Sequence, residues 1–255
     1  MGHEFELRKD IELAATPEQV WEAIATGPGI DSWFMGRNEV EPREGGRTRQ
    51  TMFGHTEEAT VTGWEPGKRL AERTGTGPDG TFMAFEYLVE GRDKGGTVLR
   101  LVQNGVLGDN WETEYEAMQA GWDMYLKTLA AYVAYFPGRY GVPVGGFRPG
   151  AGAPDQVWAA VARAFGITGE VAEGAAIRFT VDGLPPIEGV VDLTGQPTCL
   201  GVRTDDALYR FLHSGTERGN ALVVTHHLFG AGVDAENAER AWQDWLTRLP
   251  VGPSD

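Results

Sequence analysis

Few residues of this 255-residue chain have the types and spacing that chemistry requires. His226 and His227 are adjacent in a strand-like run, ALVVTHHLF, so they point to opposite faces and cannot chelate one ion together. His213 and His55 have no C-x-x-C or H-x-x-x-H partner, and no metal site is expected. Cys199, the single cysteine, reads as a buried small hydrophobe rather than a nucleophile. The serines are Ser32, Ser214 and Ser254; Ser214-Gly215 is a hairpin turn and Ser254 sits in the tail, which argues against a serine-hydrolase triad. GTGPDG, residues 75–80, matches G-x-G-x-x-G. A dinucleotide site needs a helix starting there, whereas Pro78-Asp79-Gly80 is a turn and TFMAFEYLVEG after it reads as a strand. No catalytic constellation and no cofactor are expected.

What remains is one carboxylate and its polar neighbours. Glu72 shares strand parity with Leu70 and can face inward; a carboxyl buried beside apolar rings has a raised pKa and can act as acid or base. The competing reading is a solvated strand-end glutamate near Arg73. Arg47 and Arg49 share a face and can pair with such an acid or with an anionic ligand group. Gln103 can orient a ligand carbonyl from a late strand.

The elements that must position these residues are legible in order. TPEQVWEAIATG, residues 16–27, carries a capping box of Thr16 and Gln19, with Pro17 at the first helical position and Val20 and Ile24 on one face. Gly27-Pro28 is expected to stop that helix. IDSWFMG follows as a short helical turn. Strand-like segments come next: GGRTRQTMF, EEATVTGW, RLAERT, TFMAFEYLVEG and TVLRLVQNG. Turns at Glu65–Lys68, Gly75–Gly80 and Asp93–Gly96 separate the later ones, which implies an antiparallel meander. Trp111, Tyr115, Met118, Trp122, Tyr125, Leu129, Val133 and Phe136 then repeat at spacings of three and four, the apolar stripe of one long helix. Asp109 or Asn110 can cap it. Gly121 in mid-helix is expected to admit a close neighbour.

The order then repeats. After YGVPVGGFRPGAG, read as a linker entering a weak strand, APDQVWAAVARA echoes the first helix with Ala153 at the cap. Five strand-like segments and a final helix bearing Ala238, Trp242, Trp245 and Leu249 follow. GWEPGKRL is answered by LTGQPTCL, and AGWDMYLKTL by RAWQDWLTRL. This parallel order predicts an internal duplication, with domains at 1–138 and 139–255.

The formal charge is −15, and both halves are acidic, at −9 and −6 when divided at Arg139. Such a surface argues against a nucleic-acid or anionic-membrane partner. One cysteine suits a reducing cytoplasm, the start MGHEFELRKD has no apolar signal region, and LAAYVAYF is too short to span a bilayer. The oligomeric state is not legible.

The first half resembles the activator-of-heat-shock-chaperone-ATPase-like branch of the START/SRPBCC superfamily, the helix-grip proteins that include birch pollen allergen. The residues that carry the resemblance are Pro17-x-x-Val20-Trp21, Trp33-Phe34, Glu41-Pro42-Arg43-x-Gly45-Gly46, Trp64-Glu65-Pro66-x-x-Arg69-Leu70, Gly96-Thr97-x-Leu99-x-Leu101 and Gly121-Trp122 with Leu126 and Leu129. The second half matches more loosely and lacks both the Trp-Phe pair and the Glu-Pro-Arg-x-Gly-Gly run. The resemblance implies an α+β fold: two tandem helix-grip domains, each a curved antiparallel β-sheet wrapped around a long C-terminal helix, the second shortened. It also implies a cavity between sheet and helix that holds a small hydrophobic molecule. Trp33, Phe34 and Met35 fall where the mouth would lie. Phe85 and Tyr87 would line the sheet side and Trp111, Tyr115, Met118 and Trp122 the helix side, with Glu72, Arg49 and Gln103 as polar contacts. Three functions compete: binding of a small apolar or aromatic ligand with the second domain as a brace, a cyclase/aromatase-like or hydrolase-like enzyme using the same cavity, and regulation of a chaperone by protein contact.

Overall fold

The computed structural model describes residues 2–92, 95–169, 171–195 and 197–252. Asp93 and Lys94 of the third expected turn, Gln196 and Ser254 lie outside the described residues. The chain forms two compact units, Met1–Tyr140 and Gly141–Asp255.

In the first unit, strand β1 (His3–Leu13) precedes helix α1 (Pro17–Ala25). The helix begins as its residues dictate: Thr16 Oγ1 accepts from Gln19 N–H at 3.3 Å, and Gln19 Oε1 accepts from Thr16 N–H at 2.9 Å. Val20, Ala23 and Ile24 are buried on its inner face. Gly27-Pro28 does not end the helical course. Thr26 Oγ1 accepts from Gly29 N–H at 3.0 Å and caps a second short helix, α2 (Gly27–Asp31), in whose first turn Pro28 lacks a donor that no carbonyl needs.

A short strand not expected from the sequence, β2 (Arg37–Val40), precedes strands β3 (Arg47–Met52), β4 (His55–Glu65), β5 (Arg69–Thr74), β6 (Phe82–Gly91) and β7 (Thr97–Leu107), which form the expected antiparallel meander. The sheet order is β1-β7-β6-β5-β4-β3-β2, so the first strand returns beside the last. Helix α3 (Trp111–Tyr135) has 25 residues, about 38 Å of rod. Its C-terminal half carries the core, with Trp122, Tyr125, Leu126, Leu129, Tyr132 and Val133 buried. The cap expected at Asp109 or Asn110 is not made by Asn110: its side chain makes no cap hydrogen bond, and its φ/ψ of −94°/28° is not the extended conformation a side-chain cap needs. Gly121 does not serve close packing either. A Cβ built there meets nothing within 4 Å.

The second unit repeats this plan with one strand fewer. The weak strand expected at the end of the linker is β8 (Val142–Arg148), which takes up much of that segment and is paired from Val142↔Leu228 to Arg148↔Leu222. Helix α4 (Pro154–Ala164) starts at Ala153 without a side-chain cap, as the sequence requires. Strands β9 (Ala176–Phe179), β10 (Ile187–Gly195), β11 (Cys199–Arg203), β12 (Ala207–His213) and β13 (Leu222–Leu228) lead to helix α5 (Ala235–Arg248). The sheet order, β8-β13-β12-β11-β10-β9, again sets the first strand beside the last. The interior of this unit is filled by rings. Phe165 stacks on Phe179 with centroids 4.0 Å apart, and Phe211 packs edge-on against Phe165 at 5.2 Å and Trp242 at 5.6 Å.

Candidate ligand cavity of the first domain

A half-enclosed cavity of about 140 Å³ lies within the first domain. Its walls come from α1 and α2 (Ile24, Ile30), the segment after them (Trp33, Phe34), the inner face of the sheet (Leu70, Phe85, Tyr87) and one turn of α3 (Trp122).

The apolar walls are fixed by polar bonds made away from the void. Trp33 donates its indole N–H to Ala23 O at 2.9 Å, and Trp122 donates to Gln103 Oε1 at 2.6 Å. Both indoles satisfy their one donor within the protein, so they offer the cavity ring carbon. Phe34 stacks on Trp122 with centroids 5.4 Å apart and planes 15° off parallel, and leans on Tyr125 at 4.6 Å. Phe85 and Tyr87 meet Trp122 edge-on at 6.3 and 6.4 Å. Trp122 is thus the ring on which the sheet and the Trp33-Phe34 segment converge.

The polar pole is Glu72. On β5 it pairs with Phe85 of β6 and Val61 of β4, in register with the inner face. It is half-buried, and what it exposes borders the cavity. Burial pushes its carboxyl above the usual glutamate value, and the Thr48 hydroxyl beside it pulls partly the other way. Tyr87 is pushed well above the ordinary tyrosine value by burial and by Glu72, so its hydroxyl keeps its proton. Asn38 and Gln50 also border the void but are engaged elsewhere: Gln50 Nε2 donates to Met35 O at 3.1 Å, and Asn38 Nδ2 to Asp31 Oδ1 at 3.0 Å. The structure favours the buried reading of Glu72 over the solvated one.

Of the other residues singled out in the sequence, several lie elsewhere. Trp111 stacks on His3 at 5.1 Å; Tyr115 packs edge-on against Phe5 at 6.1 Å and donates its hydroxyl to Glu6 O at 3.3 Å. Strand β1 therefore takes the first turns of the aromatic stripe. Met118 Sδ accepts from Gln103 Nε2 at 3.1 Å, which with the Trp122 bond commits both ends of the Gln103 amide. Gln103 positions Trp122 and does not reach the cavity. Met35 contributes a backbone carbonyl to the Asn38–Gln50 network rather than a wall. Arg49 stands at the rim with its guanidinium held by Glu58 at 2.7 Å and Glu39 at 3.8 Å, and Arg47 lies near Glu41 at 3.7 Å. Neither pairs with Glu72, because Arg47 and Arg49 have the outward parity of β3, while Thr48 and Gln50 have the inward one. Thr48 was not singled out; its signal is that same alternation, since Arg49 opposes Glu58 and Glu39 across both neighbouring strands.

Among the described residues of the second domain, the positions equivalent to this pole hold no carboxylate. Register places Val202, Tyr209 and His226 on β11, β12 and β13 where Glu72, Phe85 and Gln103 stand on β5, β6 and β7. Val202 is fully buried. Trp242 packs edge-on against His226 at 4.3 Å, as Trp122 meets Gln103, but here neither the indole Nε1 nor His226 Nε2 has a hydrogen-bond partner. His226 Nδ1 accepts from Arg210 N–H at 3.0 Å, so the ring is neutral with its proton on Nε2; burial, His227 and Arg210 all push its pKa well below the usual value.

Among the described residues no group of three His, Cys, Asp or Glu side chains is placed to hold a metal ion, and no helix is long and apolar enough to cross a membrane. GTGPDG is a loop, closed by Gly77 N–H to Thr81 O at 2.9 Å, with strand β6 after it.

A comparison with curated proteins finds no match. Among solved structures, protein MLL2253 from Mesorhizobium loti is 20% identical over 52% of this chain and 98% of its own, with a TM-score of 0.46. The di-domain ARO/CYC BexL from the BE-7585A biosynthetic pathway is 14% identical over 98% of this chain and all of its own, with a TM-score of 0.47. DynU16, from the dynemicin biosynthetic locus, is 23% identical over 96% of each chain, with a TM-score of 0.44. Residues 14–134 match the family described as activator of Hsp90 ATPase homolog 1-like protein, from just before α1 to the last turn of α3. By those residues the first domain is similar to that family.

Proposed function

We propose that the first domain binds a small apolar or aromatic molecule in the cavity beside Trp122, and that the second domain is chiefly structural. The observation that carries this reading is the contrast in filling. One curved sheet leaves a half-enclosed, mainly apolar void bounded by Trp33, Phe34, Phe85 and Trp122, while in the other Phe165, Phe179, Phe211 and Trp242 pack on one another and the space beside Tyr209 and Trp242 is a more open recess edged by Glu188, Asp205 and Asp206. Size narrows the guest. An apolar cavity of about 150 Å³ accommodates a benzene ring, and drug-sized ligands occupy roughly 300–1,000 Å³. The void here, about 140 Å³, fits one ring with a short substituent. The test is a thermal-shift screen of the full chain against one-ring and fused-ring aromatics. A stabilisation limited to the one-ring compounds supports the reading, and no shift across the panel refutes it.

A second reading is favoured by one pair. Glu72 and Tyr87 share the cavity, both with raised pKa values. A carboxyl with a raised pKa can protonate a bound carbonyl when it holds its proton, or collect a proton from carbon when it does not, as a cyclase-like or hydrolase-like enzyme would need. Turnover of any guest that survives Glu72→Gln would dismiss that version. Regulation of a chaperone ATPase, which the family description suggests, is tested by a pull-down with the chaperone.

A further inference from the structure

The cavity has one feature that a purely apolar guest leaves unanswered. Glu72 is an acid set among rings, and among the described residues no basic side chain pairs with it. The nearby cations are committed on the outer face: Arg49 to Glu58 and Glu39, and Arg69 to Glu86 at 2.6 Å. The Thr48 hydroxyl hydrogen-bonds to it. A carboxylate taken from water without a counter-charge is unfavourable, and an arriving cation supplies that charge.

The walls and the rim favour the same sign. Trp33 and Trp122 have their N–H groups bonded elsewhere and show the void their ring carbon, the surface on which a cation is attracted to a π face. Glu39, Glu57 and Glu58 are exposed at the rim, where Arg49 is the only basic residue among the described ones and is paired. An acidic mouth on an acidic domain concentrates cations and repels anions.

Resting on the reading of the first domain as a binding module, we propose that its guest is a one-ring aromatic bearing a protonated amine. The ring lies among Trp33, Phe34, Phe85 and Trp122, and the ammonium meets Glu72, with the Tyr87 and Thr48 hydroxyls beside it. The bound pair is an ammonium and the ionised Glu72 carboxylate joined by a charge-assisted hydrogen bond, any proton that Glu72 held passing to solvent.

The experiment is isothermal titration of the full chain with benzylamine, benzyl alcohol and toluene, which differ in charge at nearly constant shape. Benzylamine is expected to bind about tenfold or more tightly than either neutral compound. Glu72→Gln is expected to abolish that preference. The variant is read through the ratio of affinities, so a disturbance of the cavity common to all three ligands cancels, and its circular dichroism reports folding separately. If toluene or benzyl alcohol binds as well as benzylamine, the cationic guest is refuted and the cavity reading stands. A preference for benzylamine that persists in Glu72→Gln also refutes it, since the rim alone would then hold the amine. If none of the three binds, the cavity reading falls as well.

Discussion

Trp122 Nε1 lies 2.6 Å from Gln103 Oε1, a buried hydrogen bond that ties the long helix to the last strand of the first sheet. The pair in the equivalent place, Trp242 and His226, lie ring against ring with no hydrogen bond between them. The same fold therefore meets the same problem, an indole under a sheet, with two chemistries. The first leaves the ring fixed at the edge of a void, and the second buries it in a mass of other rings.

Removing the first bond should be costly. Gln103→Leu leaves the Trp122 N–H buried without an acceptor, a loss of about 1–3 kcal/mol. Urea denaturation followed by tryptophan fluorescence is expected to show the first domain unfolding at lower urea, with ring binding weakened. An unchanged midpoint would mean that the indole finds another acceptor.

The raised pKa of Glu72 gives stability a definite pH dependence. In the folded chain this group holds its proton to higher pH than in the unfolded chain, where its value is near the ordinary 4.5. Its contribution is therefore fully present below that pH and is lost as pH rises through the folded value. Glu72→Gln cannot ionise and escapes the loss. The melting temperature of Glu72→Gln relative to the native chain is expected to climb between pH 4 and pH 8. A difference that is flat or falls with pH would show that Glu72 is not desolvated.

The two helix starts are matched experiments within one chain. Thr16→Ala removes the hydroxyl half of the capping box, leaving the bond from the backbone N–H of residue 16 to Gln19 Oε1, and should lower stability by about 1 kcal/mol, while Ala153→Ser should raise it by a similar amount. Ala153 already has extended φ/ψ of −62°/152°, and Gln156 stands three residues on, as Gln19 does after Thr16. Thermal denaturation checks both; a loss at Ala153→Ser would mean that the backbone there cannot accept a cap.

Gly121→Ala is expected to stabilise the first domain by about 1 kcal/mol, because a methyl group there meets nothing within 4 Å and alanine is the better helix former by roughly that amount. Destabilisation would show a neighbour in the space that the structure leaves open.

Much of the fold was legible because its elements carry local signals. The α3 stripe, the strands from residue 47 onward and the cap at Thr16 are written in spacing and residue type. Strand β1 went unread although Phe5, Leu7, Ile11 and Leu13 alternate with Glu4, Glu6, Arg8 and Glu12. Its polar positions are charged, and a run so rich in charge resembles a solvated tail until a partner strand is known. Trp111 and Tyr115 cannot be placed without β1, because their partners His3 and Phe5 lie on it. Trp33, Phe34, Phe85, Tyr87 and Trp122 were readable as wall residues, since aromatics on an inner face have few other places to go. Which polar groups face the void was not readable. Gln103 has inward parity, like Glu72, yet its amide is consumed by Trp122 and Met118. Only the three-dimensional pairing separates a polar group that is spent from one that is available.

Everything functional here depends on the void beside Trp122 being occupied by a ring. Crystals soaked in iodobenzene, measured at a wavelength where iodine scatters anomalously, would locate that ring. The expected result is one strong anomalous peak among Trp33, Phe85 and Trp122, with none inside the second domain. No peak in that cavity, or a peak among Phe165, Phe211 and Trp242 instead, would contradict it.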